Sequence, residues 1–265
     1  TLTRLLDSLK GQVFDANYEI FFVENLAGDL SLAQRSEIKQ NPNCTILTAG
    51  RRGANAARNL GLDSARGAVV LFLDDDCEVP HPTYFQAVVL AHQNFPEICA
   101  IGGLYLDPPQ LTGVSKVYQD LARHWLETRQ SVTGEQLQLI GGCVSYKRLQ
   151  LVEQDLKFDS IIEFGGTETD LHERMVLKNL KLRLDRSLSN IHHCDVTTLS
   201  FLRKSFLQGL GHAQRAATRP KFKIQPAAEV SRPKGLLVLL YDLAFFSGQY
   251  WSSGQNGYHY PTDRQ

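Results

Sequence analysis

"VVLFLDDDCEVP", residues Val69–Pro80, passes without a break from an apolar run to three adjacent acids. The run has strand length and is apolar on both faces, as in a strand covered by helices on both sides of a parallel sheet. Asp74, Asp75 and Asp76 repel one another. Either they are solvated at a strand tip or a cation gathers them. In an extended segment the first and third of three residues share a side. Asp74 and Asp76 then form one D-x-D unit, and Asp75 faces elsewhere. Such a pair at a strand end suits a hard divalent cation, Mg2+ or Mn2+, with positions left for phosphate. Alone the pattern is weak, because D-x-D also occurs in ordinary turns.

The segments before it supply context. "TRLLDSLKGQ" reads as an amphipathic helix, and "YEIFFVEN" (Tyr18–Asn25) as a buried strand ending in Glu24 and Asn25. "DLSLAQRSEIKQ" suits a helix with Asp29 as N-cap. "CTILTA" (Cys44–Ala49) is a short strand, and "GANAARNLGLDSARG" a helix closed by Gly67. This alternation specifies an α/β chain, a doubly wound, mostly parallel sheet with flanking helices. Ligands of such sheets bind beyond the carboxyl ends of the strands. Glu24 and Asn25, the Gly50–Gly53 loop and Asp74–Asp76 all fall on that rim, which favours a binding role for the acids.

The order changes after Pro80. "HPTYFQAVVLAHQNF" reads as a helix started by Pro82. "ICAIGGLYLD" is a strand and "VSKVYQDLARHWLETRQ" a helix. "LQLIGGCVSYKR" is a strand whose Gly141–Gly142 pair lets another group approach. "ETDLHERMVLKNL" is a helix, "KLRLDRS" a strand, and "NIHHCD" a short extended piece. A long helix follows, then a proline-bounded linker over 219–233, a last apolar helix, and a polar tail from Ser252. No internal repeat is present.

Composition sets limits. The 265 residues hold 28 Lys+Arg against 28 Asp+Glu, with 43% hydrophobic and 21% charged content. That is ordinary for a soluble globular chain and gives no global attraction for nucleic acid or an anionic membrane. The five cysteines are scattered without a C-x-x-C pair, so they read as buried, reduced thiols of a cytosolic protein. The chain lacks an initial Met and a signal peptide and reads as a fragment. The nearest approach to a membrane span, Gly235–Trp251, is short and interrupted by Asp242.

Three further stretches carry chemistry. In "GRRGANAARN" (Gly50–Asn59), the glycines, the following helix N-terminus, and Arg51, Arg52 and Arg58 make a diphosphate cradle or an ordinary loop with surface arginines. In "FGGTETDLHER" (Phe164–Arg174), Thr167 caps a helix whose first turn holds Glu168 and Asp170. These acids either complement the helix dipole or supply a general base. In "NIHHCD" (Asn190–Asp195) one histidine of the pair reaches the D-x-D as a metal ligand, and His193 is preferred to His192.

In this order the motifs resemble glycosyltransferase family 2, nucleotide-sugar-dependent enzymes of the GT-A fold, over residues 1–219. They are "ARN" at 57–59, "VVLFLDDD" at 69–76, "IGGCVSYKR", "GGTETDLHER" and a closing histidine. The resemblance implies a nucleotide-sugar-binding half (1–106), an acceptor and catalytic half (107–219), and a C-terminal extension (220–265) with an amphipathic helix and polar tail. It implies a UDP-, GDP- or dTDP-sugar donor, Mg2+ or Mn2+, and a saccharide or lipid-linked acceptor in polysaccharide or glycoconjugate synthesis. Glu24 takes the place of the acid contacting the nucleoside, and Asp74 faces the ribose or metal. Asp76, with Asp74 and His193, holds the metal. Arg52, Gly53, Arg58, Asp75, Gly141 and Gly142 complete the donor site. Glu168 matches the base of an inverting displacement, with Asp170 beside it as the alternative. Two departures stand out. The family's opening strand precedes Thr1, and its usual E-D pair reads Thr167-Glu168 here. A nucleotidyltransferase and a non-catalytic transferase-like module are the rival readings. The last helix either packs on the catalytic domain or lies on the inner membrane face with Arg232 and Lys234 at its edge.

Overall fold

The computed structural model describes residues 2–131, 135–162, 165–218 and 232–256. The predicted linker, apart from Arg232 and Pro233, and the tail after residue 256 lie outside them. The first half alternates as expected: α1 (Leu2–Lys10), β1 (Ile20–Glu24), α2 (Leu32–Lys39), β2 (Cys44–Thr48), α3 (Ala54–Ser64) and β3 (Val69–Leu73). Then come β4 (Cys77–Glu78), α4 (Tyr84–Asn94), β5 (Ile98–Gly102), β6 (Tyr105–Leu106), α5 (Gly113–Glu127), β7 (Cys143–Lys147) and α6 (Arg148–Glu153). The chain ends with α7 (Thr167–Leu177), β8 (Lys181–Leu184), β9 (Asn190–His192), α8 (Thr198–Thr218) and α9 (Leu236–Asn256).

The α/β architecture is as expected, with pairing that is mixed. The strands β1–β2, β5–β8 and β6–β9 are parallel, whereas β3–β7, β5–β7 and β4–β9 are antiparallel. The central sheet runs β3-β7-β5-β8, and β1-β2 form a separate parallel pair. The run "VVLFL" is sandwiched as its composition requires. Val69, Leu71 and Leu73 pack on one cluster with the α1 leucines, Tyr84 and Ile101, while Val70 and Phe72 pack on another with Tyr146, Leu171 and Met175. Both β1 and β3 feed the first cluster, yet they do not bond to each other.

Local signals differ from expectation at three helices. Ser31, not Asp29, caps α2, because Gln34 three residues on completes a reciprocal capping box, while Asp29 accepts from the Leu26 N–H. Helix α3 ends at Ser64, three residues before Gly67, as Ala65 turns extended. Helix α9 continues to Asn256, past the predicted tail boundary. It runs antiparallel to α8 with the backbones in contact. A Cβ on Gly209 would lie 2.0 Å from the Phe245 carbonyl oxygen, and one on Gly248 2.1 Å from that of Phe206. Val238 and Tyr241 join α9 to a cluster with Leu121 and Phe201, while Leu236, Leu239, Leu243, Phe246, Tyr250 and Trp251 point outward and are exposed. Among the described residues no helix is long and apolar enough to cross a membrane.

Candidate active site

The register of β3 against β7 sets Leu73 opposite Cys143, so the Gly141–Gly142 loop arrives beside Asp74. A side chain there would displace the site's own groups, since a Cβ on Gly142 would fall 2.1 Å from Asp74 Oδ2 and one on Gly141 2.9 Å from Arg58 Nη2. Asp74 accepts from Tyr105 Oη at 2.7 Å and faces Arg58 Nη2 at 3.4 Å. Burial first, then the charge of Asp74, pushes the Tyr105 hydroxyl well up, so it remains a donor.

Arg58 joins the two halves of the site. From the second turn of α3 its Nη1 donates to Thr167 Oγ1 at 3.0 Å and lies 3.7 Å from Glu168 Oε2, and its guanidinium sits over the Phe158 ring. Thr167 is not the cap of α7. Gly166, at φ 67, takes that position, and the Thr167 hydroxyl donates to Glu168 at 2.5 Å. The two acids of α7 differ in availability. Asp170 is fully buried and gripped by Arg174 through Nε at 2.9 Å and Nη2 at 2.7 Å, whereas the Glu168 carboxylate is partly open.

The triplet does not continue the strand as expected: β3 ends at Leu73, Asp75 and Asp76 stand in a turn, and Asp74 and Asp76 take different partners. Asp76 turns to the opposite wall, where its Oδ1 meets His192 Nε2 at 3.3 Å. Burial raises the Asp76 carboxyl, but His192 and Lys204 outweigh that and hold it below the usual range. The His192 ring stacks on Tyr105 at 4.1 Å, and its Nδ1 meets Gln119 Oε1 at 3.0 Å. His193, the expected ligand, points the other way, with Nε2 2.7 Å from Glu78. Alternation along β9 leaves room for one histidine of the pair at Asp76, and the pairing of Cys77 with His192 makes it His192. Asp75 stays on the exposed side, its carboxyl pushed up by desolvation and by the charges of Asp76 and Asp74.

Other predicted residues lie apart from this cluster. Glu24 is buried and committed within the fold. Arg35 Nη2 reaches its two oxygens at 2.6 and 2.5 Å, and Thr48 Oγ1 donates at 2.8 Å. Those hydrogen bonds, Arg35 first, hold its carboxyl down at about 2. Arg52 is exposed before α3, and Gly53, at φ 122, occupies the N-cap position. Asn59, from "ARN", is structural. It bonds the Phe158 carbonyl and N–H, and Asn55 donates to the Asp159 and Ile162 carbonyls, so α3 braces the loop leading to α7. Sequence reasoning missed Tyr105 and Gln119. Tyr105 stands in "GGLYLD", two residues past a Gly-Gly pair, and that pair was the one local hint.

A family model described as "Glycosyl transferase family 2" matches residues 1–156. The mannosyltransferase PcManGT from Pyrobaculum calidifontis, solved with GDP-Man and Mn2+, aligns over 98% of this chain and 72% of its own, with a TM-score of 0.62 at 15% identity. S. aureus TarS aligns over 78% of this chain and 36% of its own, with a TM-score of 0.54 at 16% identity. TarS 1-349 with UDP-GlcNAc aligns over 97% and 70%, with a TM-score of 0.52 at 15% identity. At these identities the likeness speaks for the fold. No curated protein sequence matches the chain.

Proposed function

The chain belongs to glycosyl transferase family 2 and is a glycosyltransferase with the GT-A type of fold; on that premise we propose that it moves a sugar from a nucleotide-diphosphate donor to an acceptor hydroxyl with inversion. The observation that carries this reading is the Arg58 bridge, which brings Asp74 and Glu168 to one place while Asp170 stays locked on Arg174. Glu168 accepts the proton of the acceptor hydroxyl as its oxygen bonds to the anomeric carbon and the bond to the diphosphate breaks on the opposite face. Arg58 and the Gly141–Gly142 backbone hold donor and base in register, which supplies rate through orientation.

The residues fit a divalent cation. A carboxylate and an imidazole, Asp76 and His192, converge with their heteroatoms 3.3 Å apart, a donor pair that Mn2+ accepts. Among the described residues no three His, Cys, Asp or Glu converge as a closed cage, so a cation held by Asp76 and His192 would keep positions for phosphate and water. When bound, the cation neutralises charge on the diphosphate. The outward stripe of α9 rests on a membrane surface, which suits a lipid-linked acceptor.

The decisive experiment is donor turnover with Mn2+ and a panel of nucleotide sugars. Glu168→Gln is expected to lower transfer by about 100-fold or more while donor binding persists. Unchanged transfer by Glu168→Gln would sink the assignment. Absence of turnover with every donor would favour a non-catalytic module, and nucleotide-sugar synthesis would favour a nucleotidyltransferase.

A further inference from the structure

Gln119 stands on α5, buried to 1% exposure, with its amide between three partners. Its Nε2 lies 2.9 Å from the Leu106 carbonyl oxygen and 2.8 Å from Asp107 Oδ1. Both are acceptors only, so the NH2 end of the amide must face them and the carbonyl end must face His192. The Gln119 oxygen, 3.0 Å from His192 Nδ1, accepts, and Nδ1 carries the proton. In the neutral ring Nε2 then carries a lone pair, and it lies 3.3 Å from Asp76 Oδ1. Two electron-pair donors that close call for a positive charge between them, which either a proton or a divalent cation supplies. Stacking on Tyr105 fixes the plane of the ring, and Gln119 fixes which nitrogen is free. Asp107 is anchored in turn by Arg123 at 2.7 Å and Lys116 at 3.4 Å, so the amide end of the chain of contacts is tied down.

We propose that Gln119 is a positioning residue that holds His192 in the Nδ1–H form and so aims its Nε2 lone pair, with Asp76, at a divalent cation. The inference rests on the metal reading above. It sets the specific side of the β9 histidine pair that serves, and it places the determinant outside the acidic motifs, on a helix that carries no acid of the site.

Two measurements on the full chain test it. Long-range 1H–15N correlation of the wild-type protein at about pH 8, above the usual histidine range, with His192→Gln used to assign the signal, is expected to show a protonated Nδ1 and a bare Nε2. The reverse pattern overturns the inference and needs no buried variant to fold. Mn2+ affinity, read by electron paramagnetic resonance, is expected to weaken about 10–100-fold in Gln119→Met. Asp76→Asn separates the failures. If Asp76→Asn weakens Mn2+ and Gln119→Met does not, the inference falls alone; if Asp76→Asn binds as the wild type does, the metal reading falls and takes the inference with it.

Discussion

Arg58 shows how a single side chain turns two distant motifs into one site. It reaches Asp74, Thr167 and Glu168 from a helix that also braces the loop before α7. What was legible at this scale was local: three acids after an apolar strand marked the place, whereas the turn that sends Asp74 towards Arg58 and Asp76 towards His192 does not follow from strand alternation. The locking of Asp170 by Arg174, an i, i+4 pair, was within reach of helix spacing; the choice of His192 over His193 and the roles of Tyr105 and Gln119 depend on partners tens of residues away, which no spacing rule reports. A further buried residue has a consequence that pH exposes. His172 of α7 is fully buried. Its Nδ1 accepts from the Leu139 N–H, so Nε2–H donates to Tyr146 Oη at 2.8 Å, tying α7 to the Gly141–Gly142 loop. Burial, then Arg58, pulls its folded pKa down to about 3, against about 6.5 in the unfolded chain. The unfolded state therefore binds a proton that the folded state refuses, and the stability present above about pH 6.5 is lost as pH falls towards about 3. Thermal melts from about pH 7.5 to 5 should show Tm falling with pH. In His172→Gln the slope should flatten by one proton's worth, at most about 1.4 kcal/mol per pH unit.

Elements were easier to read than their ends. Apolar runs and helical periodicity located the strands and helices of the first half, because each buries a face that its own sequence declares. The ends depended on competition between neighbours. Ser31 won over Asp29 because Gln34 could return the bond, and Gly166 took the cap of α7 because the chain enters at a positive φ that Thr167 would resist. The α8–α9 pair rests on two absent methyl groups. Gly209→Ala or Gly248→Ala should force the backbones apart, at a cost of roughly 1–3 kcal/mol. The measurable outcome is a Tm lower by several degrees, with a change in Trp251 fluorescence as α9 shifts. A melt and spectrum matching wild type would mean that the contact does not hold the helix.

At the scale of the whole molecule, the α/β class followed from alternation, but the antiparallel insertion of β7 between β3 and β5 did not, since pairing between segments so far apart in the chain leaves no periodic trace. That insertion brings the Gly141–Gly142 loop to Asp74, so the least legible feature of the topology is the one on which the site depends. The molecule also presents an apolar face away from its body. Leu236, Leu239, Leu243, Phe246 and Tyr250 recur at three- and four-residue steps along α9, all more than half exposed. Flotation with liposomes should carry the intact chain upward, and Leu239→Asp with Phe246→Asp should leave it in the lower fraction. Equal flotation of both would remove the membrane reading while leaving the transfer chemistry intact.

The strands β1 and β3 pack into one core without a shared ladder. In mechanical terms the protein is two plates glued by side chains along that seam. Within each plate, sliding breaks directional backbone hydrogen bonds; along the seam it disturbs chiefly non-directional apolar contacts, pinned at one end where Glu19 accepts from the Arg66 and Gly67 N–H groups. The soft direction of the molecule therefore runs between the plate that holds Glu24 and the plate that ends in Asp74 and Asp76.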